Sequence, residues 1–264
     1  MAEAEIGVIG ISAYSSPLDE AESVEIETPY GKPSAPIQLG TIGETPIAFL
    51  PRRGIDEEIP PPQIPYRANV WALKELGVRR IVAPLVCGSL SLDVELGTFV
   101  VCDQFVDRTS GRADTFYDGP GTTMVSAAEP FCGELGWILV QAARELGIPV
   151  RHGGTAVAIQ GPRFSTLAES RWFQQMGWDT VNMVVYPECH LARELELCYA
   201  NVSVVTDYDT GIEGAGAVSA LTVARIVTER RAQLKELLQL AVPRIGPQPE
   251  DDCATALGVA SARF

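Results

Sequence analysis

The sequence predicts an α/β protein, a single domain over residues 1–264 with a mixed, largely parallel twisted sheet flanked by helices. Three observations predict it. Short runs rich in valine and isoleucine alternate with segments of helical periodicity through most of the chain, the pattern of strand–helix–strand construction. The 264 residues are 46% hydrophobic and 20% charged, with Gly 24 and Pro 19, a balance that fills a core and excludes intrinsic disorder. No internal repeat or low-complexity linker divides the chain, and open α/β sheets of this length often form one domain.

The first strand is expected in EIGVIGIS, an apolar run ending in small residues and Ser12. APIQLGTI and PIAFL are two further strands, and the GET between them marks a hairpin. PRRGIDEEIPPPQIP cannot be helical, because four prolines fall in Pro60 to Pro65 and each lacks a backbone donor. YRANVWALKELG is a helix: Val70, Leu73 and Leu76 recur at helical spacing and Gly77 stops it. RRIVAPLVCGSL is a strand running into a glycine turn, and GTFVVCDQFVD is one more strand. AEPFCGELGWILVQAARELG is a helix ended by Gly147. TAVAIQGPRF is a strand entering a loop, and STLAESRWFQQMG is a helix capped by its serine, Ser165. The strand TVNMVV meets Tyr186-Pro187, and ECHLARELE is helical. YANVSVVTDYD is a strand that ends in two carboxylates. The last helix, roughly AVSALTVARIVTERRAQLKELLQLAV, has Leu221, Ile226, Leu234 and Leu238 at helical spacing. The tail from about 247 is expected to be loose or docked on a neighbouring subunit.

Charge and composition limit the partners. A net charge of −14 and a pI near 4.6 argue against a nucleic-acid backbone or an anionic membrane surface. No apolar run approaches the roughly 18 residues of a spanning helix. MAEAEIGVIGIS carries acidic residues where a signal peptide is basic, so a cytoplasmic location is expected. His152 and His190 are the only histidines, which excludes HExxH zinc chemistry, and no metal site is expected. The six cysteines form no CxxC pair and sit in apolar or helical stretches, as reduced buried thiols do.

In open α/β sheets, ligand groups gather in loops beyond the C-terminal ends of strands. Four such ends carry unusual residues: Ser12 after GVIGI, Arg52 and Arg53 after IAFLP, Phe164 and Ser165 after AIQGPR, and Asp207 with Asp209 after VSVVT. Each taken singly is an ordinary turn, cap or solvated pair. Together they outline one pocket with an aromatic platform, two carboxylates and a cationic corner.

The segments GTIGETPIAFLPRRG, IPYRANVWALKELG, CGSL, DQFVDRTSGRADTFYDGP, AEPFC, GPRFSTLAES, NMVVYPECHLARELELCYA and TDYD occur in the order seen in 5′-methylthioadenosine phosphorylases. From Ile6 to about Leu257 the chain resembles these members of the trimeric purine nucleoside phosphorylase family. The resemblance implies the nucleoside phosphorylase fold and a homotrimer with active sites near subunit contacts. It implies cleavage of the N-glycosidic bond of a purine nucleoside with phosphate as co-substrate, and no metal or organic cofactor. It places Asp207 at the purine N7 and 6-amino group, with Asp209 and Ser165 supporting base recognition. Phe164 would stack on the base and Met183 would touch the ribose. A carboxyl group held by a second carboxylate can keep its proton near neutral pH and donate it to N7. The first aspartate of TDYD, Asp207, suits a 6-aminopurine, because it accepts from the exocyclic amine; relatives specific for 6-oxopurines have asparagine there.

The nucleophile side departs from the family. Its glycine-rich phosphate loop, close to GGSGL, is here Gly10-Ile11-Ser12-Ala13-Tyr14. The family's RHG is Arg52-Arg53-Gly54, and a second histidine is Glu57, in the acidic run Asp56 to Glu58. The threonine-alanine pair before CGSL is Leu85-Val86, and the threonine after asparagine-methionine is Val184. The histidine given to the neighbouring subunit's 5′ pocket is Met124, and the acid before GPRF is Gln160. Ser12, Arg52 and Arg53 remain to hold an anion that needs several donors to replace its hydration.

The resemblance therefore implies an enzyme acting on an adenine-type, methylthioadenosine-like nucleoside, nominally by phosphorolysis, with an altered phosphate pocket. Two alternatives stay open. One is phosphate-independent hydrolysis, with Glu57 or Glu58 as base, or action on a modified nucleoside in specialised metabolism. The other is a catalytically silent paralogue that keeps the base pocket.

Overall fold

The computed structural model describes residues 4–10, 16–18, 20–120, 123–214, 218–246 and 252–260. Strand β1 (Ile6–Gly10) is buried along its whole length. It pairs in parallel with β4 (Thr45–Pro51), which forms the expected hairpin with β3 (Ile37–Ile42); Gly43 turns the chain at φ 60°. An unexpected strand, β2 (Ala21–Val24), lies antiparallel on β3. Its AESV is mostly exposed and lacks apolar alternation, so only pairing distinguishes it from a loop.

The proline-rich segment, expected to hold no helix, contains a single 3-10 turn at Pro61–Gln63, because proline at the first positions of a turn loses no needed donor. Helix α1 (Tyr66–Glu75) follows and leads into β5 (Arg80–Ser89), a strand of ten residues. The segment expected as one further strand is two, β6 (Phe99–Val101) and β7 (Gln104–Arg108). The chain changes partners between them, where Asp103 accepts from the Gly154 N–H. β6 pairs in parallel with β8 (Val150–His152), which follows helix α2 (Gly133–Glu145), and β7 pairs with β9 (Thr155–Ile159). Helix α2 starts later than its sequence pattern suggests, because Cys132 serves as its N-cap and its Sγ accepts from the Leu135 N–H.

Helix α3 (Leu167–Gln175) is capped by Thr166 rather than Ser165: Thr166 and Glu169 form a reciprocal capping box. Strand β10 (Thr180–Asn182) is shorter than expected, because helix α4 (Val185–Glu194) takes over with Tyr186 in an extended conformation at its start. Strand β11 (Cys198–Tyr208) and helix α5 (Ala220–Ala241) match their sequence patterns, although Leu221 is 83% exposed and faces away from the core.

Among the described residues, eleven strands join one mixed, largely parallel sheet. Side chains along β1 and β4 alternate between its two faces, as the pleat requires. Ile6, Val8, Ile47 and Phe49 pack with Leu135 and Leu139 of α2 and Leu234 and Leu238 of α5. Ile9, Ala48 and Leu50 pack with Val70 and Leu73 of α1 and Leu191 of α4. Among the described residues, no helix is long and apolar enough to cross a membrane.

The tail corrects the expectation of a loose end over its described part. Helix α6 (Ala256–Ala260) packs on α4 of the same chain, and the Leu257 N–H donates to Glu196 Oε1 at 3.1 Å. Cys253 is buried there with Cys132 and Cys198, their Sγ atoms within 4.8 Å of one another.

One feature of the sheet creates the cleft. The first residues of β5, Arg80 to Val82, pair with β1, whereas its last, Gly88 and Ser89, pair antiparallel with β10. Among the described residues, that edge of β5 has neither partner between Ala83 and Cys87, while β11 continues along the other edge. The opening lies where strand direction and order change, the place in α/β sheets where ligands bind.

Candidate active site

At that opening lies a cavity of about 470 Å³. Its floor is Leu85, Val86, Cys87 and Gly88 of β5 with Thr206, Asp207 and Asp209 at the end of β11. Phe164, the stretch Asn182-Met183-Val184 and the α5 residues Ala220, Val223, Ala224, Val227 and Thr228 also line it. Arg52, Arg53 and Glu57 close one corner.

The register of β11 against β5 places the acidic groups. Val205 pairs with Cys87 and Asp207 with Gly88, so Thr206 is bulged out and the strand is re-aimed. The Thr206 hydroxyl donates to Asp207 Oδ2 at 2.9 Å. Asp209 is 2% exposed, and its backbone N–H donates to the Ser89 carbonyl at 3.0 Å. Burial pushes the Asp207 pKa up, the Thr206 hydrogen bond opposes the rise, and the charge of Asp209 adds to it; the net shift is upward. Gly88 is required here, because a Cβ would lie 2.8 Å from Asp207 Oδ1.

Phe164 is 42% exposed at the cavity, a free aromatic face. Ser165 is buried beside it, and its carbonyl accepts from Thr210 Oγ1 at 3.0 Å, tying this loop to the end of β11. Gly161 turns the chain at φ 62°, and a Cβ there would lie 2.5 Å from Met183 Sδ. The left-handed φ favours glycine here, and its missing Cβ lets the loop pack against Met183.

Three buried polar atoms around the cleft have no hydrogen-bond partner among the described residues: Ser165 Oγ, Asp209 Oδ2 and Asn182 Nδ2. Asn182 shows why. Its Oδ1 accepts from the Val184 and Val185 N–H groups at 3.0 and 2.9 Å. That bond pattern fixes the amide orientation and leaves the NH₂ group at the cavity. Buried polar groups are normally satisfied, and two of these residues, Asn182 and Asp209, line the cavity.

The cationic corner differs from its sequence expectation. Arg52 is 1% exposed, and four of its donors are already used. Nε and Nη2 grip Glu188 at 2.7 and 2.9 Å, Nη1 donates to the Pro84 carbonyl, and Nη2 also donates to the Ile9 carbonyl. Burial lowers the Arg52 pKa, but the Glu188 charge and hydrogen bond outweigh it and the net shift is upward. Arg52 is therefore mainly a buried structural cation with one Nη1 hydrogen left over, not a free anion ligand. Arg53 is half-buried: Nε donates to the Ile59 carbonyl, Nη2 donates to the Glu57 carbonyl, and Nη1 lies 3.8 Å from the Glu57 carboxylate. Leu85, Val86 and Val184 make the rest of the corner apolar.

Ser12 lies outside the described residues. Met124 is 48% exposed and does not line the cavity of its own chain. Neither histidine lines it: His152 lies against Trp137, and His190 Nε2 is 3.3 Å from Glu194. Asn182 and Thr206 escaped the sequence reasoning, whereas the last helix was expected at the 5′ pocket. Asn182 ends β10, and a polar residue at a strand end was the available signal.

An open α/β sheet with a paired carboxylate and an aromatic face at its switch point has the features of a nucleoside-type binding site. The chain belongs to the Phosphorylase superfamily, whose profile matches residues 5–241. It is 47% identical over 252 residues to the S-methyl-5′-thioadenosine phosphorylase of Pyrococcus abyssi (strain GE5 / Orsay), covering 96% of this chain and 97% of that one. It is 53% identical over 220 residues to the protein of that name from Mycolicibacterium smegmatis (strain ATCC 700084 / mc(2)155), covering 83% and 82%. The methylthioadenosine phosphorylase from Schistosoma mansoni in complex with adenine superposes with a TM-score of 0.89 at 38% identity, covering 97% of this chain and 96% of that chain.

Proposed function

We propose that the cavity binds an adenine-type nucleoside of the methylthioadenosine kind and cleaves its N-glycosidic bond by phosphorolysis. The observation that carries this is Asp207, a buried carboxyl group with a raised pKa that feels the charge of Asp209, in a cavity also lined by the exposed ring of Phe164. A phosphate oxygen attacks the anomeric carbon, the carbon–nitrogen bond breaks, and its electron pair passes to the purine. The Asp207 carboxyl delivers its proton to N7, so the leaving base departs neutral. Phe164 supports the purine by stacking, Ser165 and Asp209 complete base recognition, and Met183 meets the ribose. Arg53, the remaining Arg52 donor and Ser12 hold phosphate.

The apolar corner predicts weak phosphate binding rather than its loss, since each charge-assisted hydrogen bond contributes about 1.5–3 kcal/mol. The face of α5 gives the 5′ substituent an apolar surface that suits a thioether. The active assembly is a homotrimer in the cytoplasm, with Met124 completing a neighbour's 5′ pocket.

The test is incubation with methylthioadenosine and with adenosine, with and without phosphate, and identification of both products. Adenine plus sugar 1-phosphate formed only with phosphate supports phosphorolysis. Free sugar without phosphate supports hydrolysis, and binding without turnover supports a silent paralogue.

A further inference from the structure

Strands β9 and β10 pair in parallel as far as Ala158 and Asn182. Beyond that point they separate, one to form the Gln160–Ser165 loop and the other to form Met183 and Val184. Carbonyl groups past the last pair have lost their ladder partners, and buried carbonyls need replacements.

Arg112, from the loop after β7, supplies them. Its Nη2 donates to the Gln160 and Met183 carbonyls at 2.9 Å each and lies 3.4 Å from the Ile159 carbonyl. Its Nη1 donates to the Tyr186 carbonyl at 2.5 Å and to the Tyr66 hydroxyl at 3.2 Å. Nε donates to Gln160 Oε1 at 3.3 Å, and the same oxygen accepts from the Ser110 N–H at 3.0 Å. The guanidinium also lies over the Tyr66 ring, 5.4 Å from its centroid. One planar cation thus bridges both separating strands, and no point charge could reproduce its fork of donors.

We propose that Arg112 is a positioning residue of the nucleoside site: its guanidinium fixes the spacing between the loop bearing Phe164 and Ser165 and the turn bearing Met183 and Val184. It does not line the cavity, so it acts through the main chain that carries the substrate contacts. The base is held from one loop and the ribose from the other, and their separation sets the orientation of the bond that breaks. Misplacement by about 1 Å can cost on the order of 10²-fold in rate. The role rests on the nucleoside cleavage proposed above.

The experiment compares wild type, R112K and R112M for kcat and KM with methylthioadenosine, for adenine affinity by calorimetry, and for Tm. Each assay is repeated with added guanidinium chloride at low millimolar concentration, below any unfolding. R112M is expected to lose about 10²-fold in kcat/KM, with kcat falling more than adenine affinity, because one loop alone holds the base. Guanidinium should restore part of that loss, and ammonium should not. R112K should keep the fold and remain at least tenfold impaired in kcat, which preserves the test if R112M does not fold. Wild-type kinetics in R112K, or losses that follow Tm alone with no guanidinium rescue, would overturn the assignment. Wild type that fails to turn over methylthioadenosine would instead overturn the proposed function, a separate outcome.

Discussion

Replacing Asp207 with asparagine tests the chemistry of the cleft most directly. The exchange keeps shape and volume, and the Thr206 hydroxyl that now donates to Oδ2 can still donate to the amide oxygen. Two properties disappear. The transferable proton is lost, which costs about 10²–10⁴-fold where a general acid operates. The acceptor for a 6-amino group becomes orientation-dependent, and a buried unpaired donor costs about 1–3 kcal/mol, roughly 5- to 150-fold. With the two effects combined, kcat/KM for methylthioadenosine should fall by about 10³-fold or more, and relative activity on inosine should rise. Stability should move the other way. Folding raises the Asp207 pKa, so its contribution is fully favourable below the unfolded value and lost as pH rises through the folded value. D207N has no such loss, and its Tm relative to wild type should increase from acid to neutral pH. Phosphorolysis of both nucleosides by D207N and wild type, with Tm scans across that pH range, checks both halves. Activity on methylthioadenosine within tenfold of wild type would refute the acid role.

Three other outcomes follow from neighbouring contacts. Glu188→Ala leaves the Arg52 charge buried and removes the Tyr199 hydroxyl's acceptor, so urea unfolding should show a loss of about 3–5 kcal/mol; a change below 1 kcal/mol would contradict the pairing. Leu85→Thr combined with Val184→Thr adds two hydroxyls to the apolar corner. The KM for phosphate should fall about tenfold or more, and an unchanged value would mean that the anion sits elsewhere. Gly88→Ala would place a Cβ 2.8 Å from Asp207 Oδ1 and 3.1 Å from Val181 Cγ1, displacing the carboxyl group. Its kcat should drop about 10²-fold while the fold persists, as circular dichroism and steady-state rates together would show.

Much of the architecture was legible because it depends on local pattern. Val70, Leu73 and Leu76 lie at helical spacing whatever surrounds them, and α1 forms there. The GET turn declared the β3–β4 hairpin in the same way. The misjudged elements are those whose state depends on a partner. The AESV of β2 is a strand because β3 lies beside it. The single run GTFVVCDQFVD becomes two strands because each half has different neighbours. Ser165 gave up the cap to Thr166, whose side chain meets the Glu169 N–H.

The site divides along the same line. Residue chemistry alone marked Asp207, Asp209 and Phe164, since strand ends that carry carboxylates or aromatic rings follow a rule of α/β sheets, whereas Met183 came only from the family resemblance. The loss of glycines and hydroxyls around the phosphate corner was plain once the residues were set against the family pattern. What Arg52 does was not. A guanidinium after a strand suits an anion or a buried carboxylate equally well, and only the position of Glu188, far away in the chain, turned it inward. Arg112 carries the same lesson, since its partners are main-chain carbonyls and have no signature in the side-chain sequence. Sequence determined which chemical groups this protein has and the periodicity that folds them locally. Tertiary structure decided which of those groups are already satisfied by the protein and which are left for a ligand, because hydrogen-bond partners are set by proximity in space.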